Sequence, residues 1–155
     1  MYKEKLEKNI ECSSYPGQIP VNYVYTMGIA GEEFFKTIKD KGYFIASVCS
    51  ECGKKYIPAQ IYCDNCFAEC NKYEEVNSVG ELYSYTECFY NYKGEKYNEP
   101  HIIGLIKFEG YEGGIIHRLN IKKDDLKIGM KVEAVFKSQK QRTGSIEDIL
   151  YFKKK

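Results

Sequence analysis

The pattern of apolar and polar residues turns helical at Gly31. Phe34, Phe35 and Ile38 fall on one stripe, Glu32 and Glu33 precede it, Lys39 and Lys41 follow it, and Gly42 supplies a stop. This arrangement predicts a short amphipathic helix with acids in its first turn and bases in its last. "YFIASV" then runs as a strand into Cys49, and "KKYIPA" after Cys52 is placed to return antiparallel to it, so the cysteine turn forms the tip of a hairpin. Beyond Asn77 the texture changes to "VGELYSYTECFY", "HIIGLIKF", "GGIIHRL", "MKVEAVF" and "IEDILYF", separated by Gly, Asn, Pro and Lys-rich breaks. These are five β segments. Five short strands predict a small closed barrel, of which the OB-fold is the five-stranded case, with a small open sandwich as the alternative.

The first 30 residues differ from the rest. Two turn-prone spots, "SSYPGQIP" and "TMGIAG", flank the aromatic run "VNYVY", with no sign of an independent core. That composition reads as an arm that packs on something else. The expected organisation is therefore an arm and helix over residues 1–42, a cysteine module over 43–76 and a barrel over 77–155. The fold class is mainly β with an N-terminal helix.

Bulk properties narrow the function. A chain of 155 residues is large enough for one compact domain, or for a small module fused to a larger one, and excludes a large multidomain enzyme. Lys and Arg number 23 against 22 Asp and Glu, so no global field draws the protein to nucleic acid or to an anionic membrane. The start, "MYKEKLEKNIEC", is charged throughout, and no later apolar run approaches the ~20 residues of a membrane span. A soluble cytoplasmic protein with no membrane partner is expected.

Seven cysteines form an odd set with no secretory signal, which favours reduced thiols and a metal site over disulfides. Four of them make two Cys-x-x-Cys pairs, Cys49/Cys52 and Cys63/Cys66. A two-residue gap lets both thiolates point into one tight turn, and two such turns face to face supply the tetrahedral sulfur cage of a rubredoxin-like zinc ribbon. The ten residues between the pairs are fewer than in common four-cysteine sites, yet a hairpin closes in that length. Zinc suits a closed four-thiolate cage, while a rubredoxin-type iron centre uses nearly the same spacing. With every position filled by sulfur, no site is left for a catalytic water, and the metal is a rivet. Gly53, directly after the first pair, tolerates the positive φ that metal-gripping turns often require, whereas the second turn, "CDNCF", must use ordinary residues. Using Cys70 in place of Cys66 would widen the second turn, so Cys70 is read as a bystander. Cys88, in a strand, is read as a small buried hydrophobe.

The other chemistry-bearing residues read as structural. His101 and His117 sit in apolar β segments with no Ser or Cys nucleophile and matched carboxylate nearby, so no catalytic residue is assigned. Asp124 and Asp125 belong to a solvated turn. "LYSYTECFYNY" could stack bases, but its basic flank, Lys93, Lys96 and Arg118, is offset by Glu87, Glu95 and Glu99. Core and partner packing is the better reading, and nucleic acid is not the expected partner.

In order, the double-phenylalanine helix, "CSECGKKYIPAQIYCDNC", "GELYSYT", "PHIIGLIKFEG" and "DLKIGMKVEAVF" resemble the zinc-ribbon plus OB-fold family of acyl-CoA-associated proteins, long carried as a domain of unknown function. The likeness covers roughly residues 31–137. It makes Cys49, Cys52, Cys63 and Cys66 the ribbon ligands and matches Pro58 to a proline between the pairs, while Asp64 stands where proline is common. The resemblance implies a non-catalytic accessory or scaffold subunit that forms a hetero-oligomer with a thiolase-like or hydroxymethylglutaryl-CoA-synthase-like enzyme and shares its acyl-CoA, the catalytic residues belonging to the partner. A CoA diphosphate would need one or two cations, which Lys54, Lys55 and Arg118 offer. Tyr23, Tyr25, Phe34 and Phe35 are the aromatic residues expected at the partner interface. Two rivals from other classes are a nucleic-acid-binding module, which would show a basic face and steep salt dependence, and a rubredoxin-like electron carrier, which would be red.

Overall fold

The structure is a computed structural model that describes residues 25–91 and 93–155. Helix α1 spans Gly28–Lys41, with Ala30, Phe34, Thr37 and Ile38 buried along one stripe. It starts three residues before the expected Gly31, because Ala30 extends the buried stripe by one turn. Glu32 and Glu33 consequently lie beyond the first turn. Gly42 ends the helix in a left-handed conformation, its N–H bonded back to the carbonyls of Thr37 and Ile38.

A small sheet follows. Strands β1 (Phe44–Val48) and β2 (Lys55–Ile57) form the expected antiparallel hairpin, and β3 (Lys72–Val76) pairs along the other edge of β1. The polar sequence "KYEEV" carries little strand signal of its own, and it becomes a strand because β1 presents an open edge. The barrel consists of β4 (Val79–Tyr90), β5 (Lys96–Lys107), β7 (Ile115–Leu119), β8 (Lys131–Phe136) and β9 (Ile149–Lys154), closed in the order β4-β5-β7-β9-β8. All pairings are antiparallel except β7 with β9. This is the five-stranded closed barrel that the segment pattern predicts, not an open sandwich. Between β5 and β7, the two-residue strand β6 (Glu112–Gly113) leaves the barrel and pairs in parallel with β2. A side chain at Gly113 would collide with the backbone carbonyl of Ile57, so this stitch between ribbon and barrel requires glycine.

One hydrophobic core runs through both parts. Phe34 and Ile38 of the helix, Phe44, Ile45, Ala46, Ile57 and Val76 of the small sheet, and Leu82, Ile106, Ile149 and Phe152 of the barrel belong to the same cluster. Phe44 is its hub: its ring stacks on Phe34 at 6.0 Å and on Phe152 at 6.3 Å and meets Phe108 and Phe136 edge-on. Sequence reading separates a ribbon from a barrel, yet packing makes the small sheet one wall of the barrel's core.

The loop before β9 holds the helix against this core. Arg142 donates to the carbonyls of Lys137 and Ile38, and Gln139 donates to that of Asp40, so carbonyls at the helix end find partners. The loop is organised by Asp148, which is 0% exposed and accepts hydrogen bonds from the backbone N–H groups of Thr143, Gly144 and Ser145. Among the described residues, no helix is long and apolar enough to cross a membrane.

Candidate metal centre

The four predicted cysteines meet. The sulfurs of Cys49, Cys52, Cys63 and Cys66 all lie within 4.8 Å of one another, with Cys49 to Cys66 at 3.4 Å and Cys52 to Cys63 at 3.5 Å. A tetrahedral ion with metal–sulfur bonds of about 2.3 Å holds its ligands roughly 3.8 Å apart, so the cage has the size that zinc requires. Each pair sits on its own knuckle. In the first, Cys49 N–H bonds to Lys54 O and Gly53 N–H to Cys49 O; in the second, Cys63 N–H bonds to Ala68 O and Phe67 N–H to Cys63 O. Ser50 joins the two by donating from both its N–H and its hydroxyl to Glu69 O.

The local chemistry favours thiolates. Backbone N–H groups of Cys52 and Asn65 point at the sulfurs of Cys49 and Cys63. The buried Tyr56 hydroxyl donates to the Cys63 sulfur at 3.1 Å. Burial pushes the Cys63 thiol up, but the Tyr56 hydroxyl and the N–H groups of Cys66 and Asn65 outweigh it and bring its pKa down to about 6. Cys66 goes the other way. The Ala68 N–H lowers it, but the neighbouring sulfur of Cys49, burial and the other sulfurs together push it up to about 12. Four sulfurs this close cannot all carry negative charge without a cation among them, a charge that a divalent ion would supply. Cys70 is buried beside Cys49, Tyr56 and Cys63 but is not part of the four-sulfur cage, in agreement with its reading as a bystander.

Sequence reading missed Tyr56, because a tyrosine in "KKYIPA" looks like any strand residue. Its role depends on β2 folding back over the second knuckle. Tyr56→Phe is expected to retain the metal but release it several-fold faster to a chelator, since the Cys63 sulfur loses a buried donor worth about 1 kcal/mol. A chromogenic chelator assay on both proteins checks this, and equal rates would show the hydroxyl to be a bystander.

The other predicted site residues scatter. Lys54 reaches out of the ribbon to Glu112 at 3.6 Å, while Lys55 pairs at 2.7 Å with Glu74 of the same small sheet, whose carboxylate also accepts from Tyr111. Arg118 lies on the outer face of β7, donating from Nη2 to His101 Nδ1 at 2.7 Å. An arginine can only donate, so this nitrogen of His101 is the unprotonated one. Arg118 and His101 line a cleft of about 580 Å³ with Lys122, Lys123 and Glu99, whereas Lys54 and Lys55 line a different depression. The three bases are therefore not gathered into one anion site. His117 is half-buried against the Phe152 ring, and burial lowers its pKa.

Of the expected interface aromatics, Phe34 is corrected: at 1% exposure, stacked on Phe44, it belongs to this chain's own core and is out of reach of a partner. Phe35 is half-buried at the edge of the same stripe, meeting Phe34 edge-on, and Tyr25 is 79% exposed. Tyr23 lies outside the described residues.

A four-cysteine ribbon packed as one core with a five-stranded OB barrel defines the class of protein. The model of the ChsH2 C-terminal OB-fold domain matches residues 73–137. A DUF35 domain-containing scaffold protein of Methanocaldococcus jannaschii is 31% identical over 111 residues, covering 69% of this chain and 77% of that protein. The crystal structure of a DUF35-family protein of unknown function from Sulfolobus solfataricus is 30% identical, with a TM-score of 0.65, over 83% of this chain and 87% of that one. The Ltp2–ChsH2(DUF35) aldolase contains a chain of the same fold, at 21% identity and a TM-score of 0.58 over 79% of this chain and 91% of that one. The chain belongs to the DUF35 family.

Proposed function

We propose that this protein is a non-catalytic accessory and scaffold subunit of an acyl-CoA condensing enzyme, thiolase-like or hydroxymethylglutaryl-CoA-synthase-like, with one structural zinc in its ribbon. The observation that carries the reading is the kinship with a DUF35 scaffold protein along most of that relative's length. The occurrence of the fold in the Ltp2–ChsH2(DUF35) aldolase supports the pairing with an enzyme. The geometry of the metal centre agrees, because four sulfurs use all four positions of a tetrahedral zinc, and an ion so held maintains shape without activating water. Cys49, Cys52, Cys63 and Cys66 would hold it. Arg118, with Lys122 in the same cleft, is where a CoA phosphate shared with the partner would meet positive charge, Lys123 there being paired with Glu87 at 2.9 Å.

Co-expression of the full chain with the thiolase-like enzyme of the same organism tests the reading. The two are expected to co-elute on size-exclusion chromatography with about one zinc per copy of this chain, and the isolated chain is expected to turn over no acetoacetyl-CoA. Separate elution of the two proteins, or thioester turnover by the isolated chain, would defeat it.

A further inference from the structure

The two cysteine knuckles repeat each other's backbone, and the residue directly after each pair takes a left-handed conformation: Gly53 at φ 72° and Phe67 at φ 60°. In both, that residue's N–H closes the knuckle on the carbonyl of its first cysteine. The geometry suits glycine, and a side chain there clashes with its own backbone. Among the described residues Phe67 gains no burial that would offset this strain, being 81% exposed, whereas a phenylalanine ordinarily gains its stabilisation from burial.

Other apolar residues in this part of the chain are exposed too: Tyr62 and Ile61 precede the second pair, and Ile61 adjoins the start of α1, where Ile29 and Met27 are exposed. Within the second knuckle the charge has one sign: from Tyr56 to Asn71 the only charged residues are Asp64 and Glu69, both exposed, with Lys54, Lys55 and Lys72 flanking that stretch. An exposed aromatic in a strained position, on a knuckle whose own charges are carboxylates, has the makeup of an interface anchor.

We infer that Phe67 is the anchor by which the second knuckle docks on the enzyme partner, entering an apolar pocket rimmed by Lys or Arg side chains. This rests on the scaffold reading above. The lysines and arginines follow from charge complementarity with Asp64 and Glu69 of the same knuckle, which would steer association and make it weaken with salt.

The test compares the full-length protein with its Phe67→Gly variant, both zinc-loaded, against the purified thiolase-like enzyme, and adds a version carrying the photocrosslinker p-benzoylphenylalanine at position 67. Phe67→Gly is expected to keep its zinc, to melt about 2–4 °C higher because the left-handed strain is gone, and yet to bind the enzyme about tenfold or more weakly. Illumination is expected to link position 67 to the enzyme. If the wild-type complex forms but the variant binds equally well and no adduct appears, the anchor is overturned while the scaffold reading stands. A variant that melts lower than wild type would give Phe67 an internal structural role and overturn it as well. If the wild-type chain binds no such enzyme, or the adduct is with a second copy of this chain, the stated partner is wrong, and in the first case the scaffold reading falls with it.

Discussion

Cys63→Ser is expected to leave the protein with little bound metal and a melting temperature lowered by roughly 6–20 °C. The four sulfurs form one cage, and Cys63 is its most supported ligand, buried and receiving the Tyr56 hydroxyl and the Asn65 N–H. Structural zinc sites contribute on the order of 10–16 kcal/mol of apparent binding free energy, so losing even a third of that removes about 3–5 kcal/mol. A domain this size has roughly 5–15 kcal/mol of net stability, and each kcal/mol lowers the melting temperature by about 2–4 °C. Read as separate modules, a ribbon would loosen while the barrel survived. The shared core changes that expectation. Phe44, Ile57 and Val76 belong to the ribbon sheet and pack in the same cluster as Leu82, Ile106 and Phe152, so disorder at the knuckles is felt in the barrel. Elemental analysis and near-ultraviolet circular dichroism of Cys63→Ser, with Cys88→Ser as the control that keeps its metal, measure both effects. A Cys63→Ser protein with full metal content and wild-type melting would show that the cage is not the metal site.

Asp148→Asn is expected to destabilise the protein by about 3 kcal/mol at neutral pH, since three backbone donors that converge on a carboxylate would face an amide with only one acceptor oxygen. The cost should appear as a fall in melting temperature of roughly 6–12 °C. Its pH dependence has a definite sign. Burial acts to raise the Asp148 pKa, but the N–H groups of Thr143, Gly144 and Ser145, aided by the charge of Lys137, outweigh it and hold the carboxyl below its usual range. A carboxyl whose pKa is lower in the folded than in the unfolded chain contributes stability above the unfolded value of about 3.9, and that contribution disappears as pH falls through the folded value. The difference between wild type and Asp148→Asn should therefore be constant from neutral pH down to about pH 5 and shrink below about pH 4. Denaturant melts across that range test it, and a difference that persisted unchanged in acid would mean that the carboxylate charge is not what the loop uses. Because the same loop carries Arg142 and Gln139 to the end of α1, amide exchange in the helix should quicken in the variant.

The sequence by itself determined the features whose physics is local. Two residues between cysteines are enough to aim two sulfurs into one turn, so the four-cysteine cluster was legible from spacing. The stripe Phe34–Ile38 and the stop at Gly42 marked the helix, and the alternation of apolar residues after Asn77 marked the five barrel strands. Only the tertiary structure decided features that depend on what lies across a gap in the chain. "KYEEV" is a strand because β1 offers it an edge. Phe34 is core rather than interface because Phe44 and the barrel meet it from the far side. Tyr56 reaches Cys63 only once β2 has folded back, and Asp148, in a segment that reads as the start of a strand, sits instead in a turn before β9 and is buried because its own loop closes over it with three N–H groups. Lys54, Lys55 and Arg118 all present positive charge in the sequence, but which surface each one faces is set by strand order and register, to which a charged side chain at the surface contributes almost nothing.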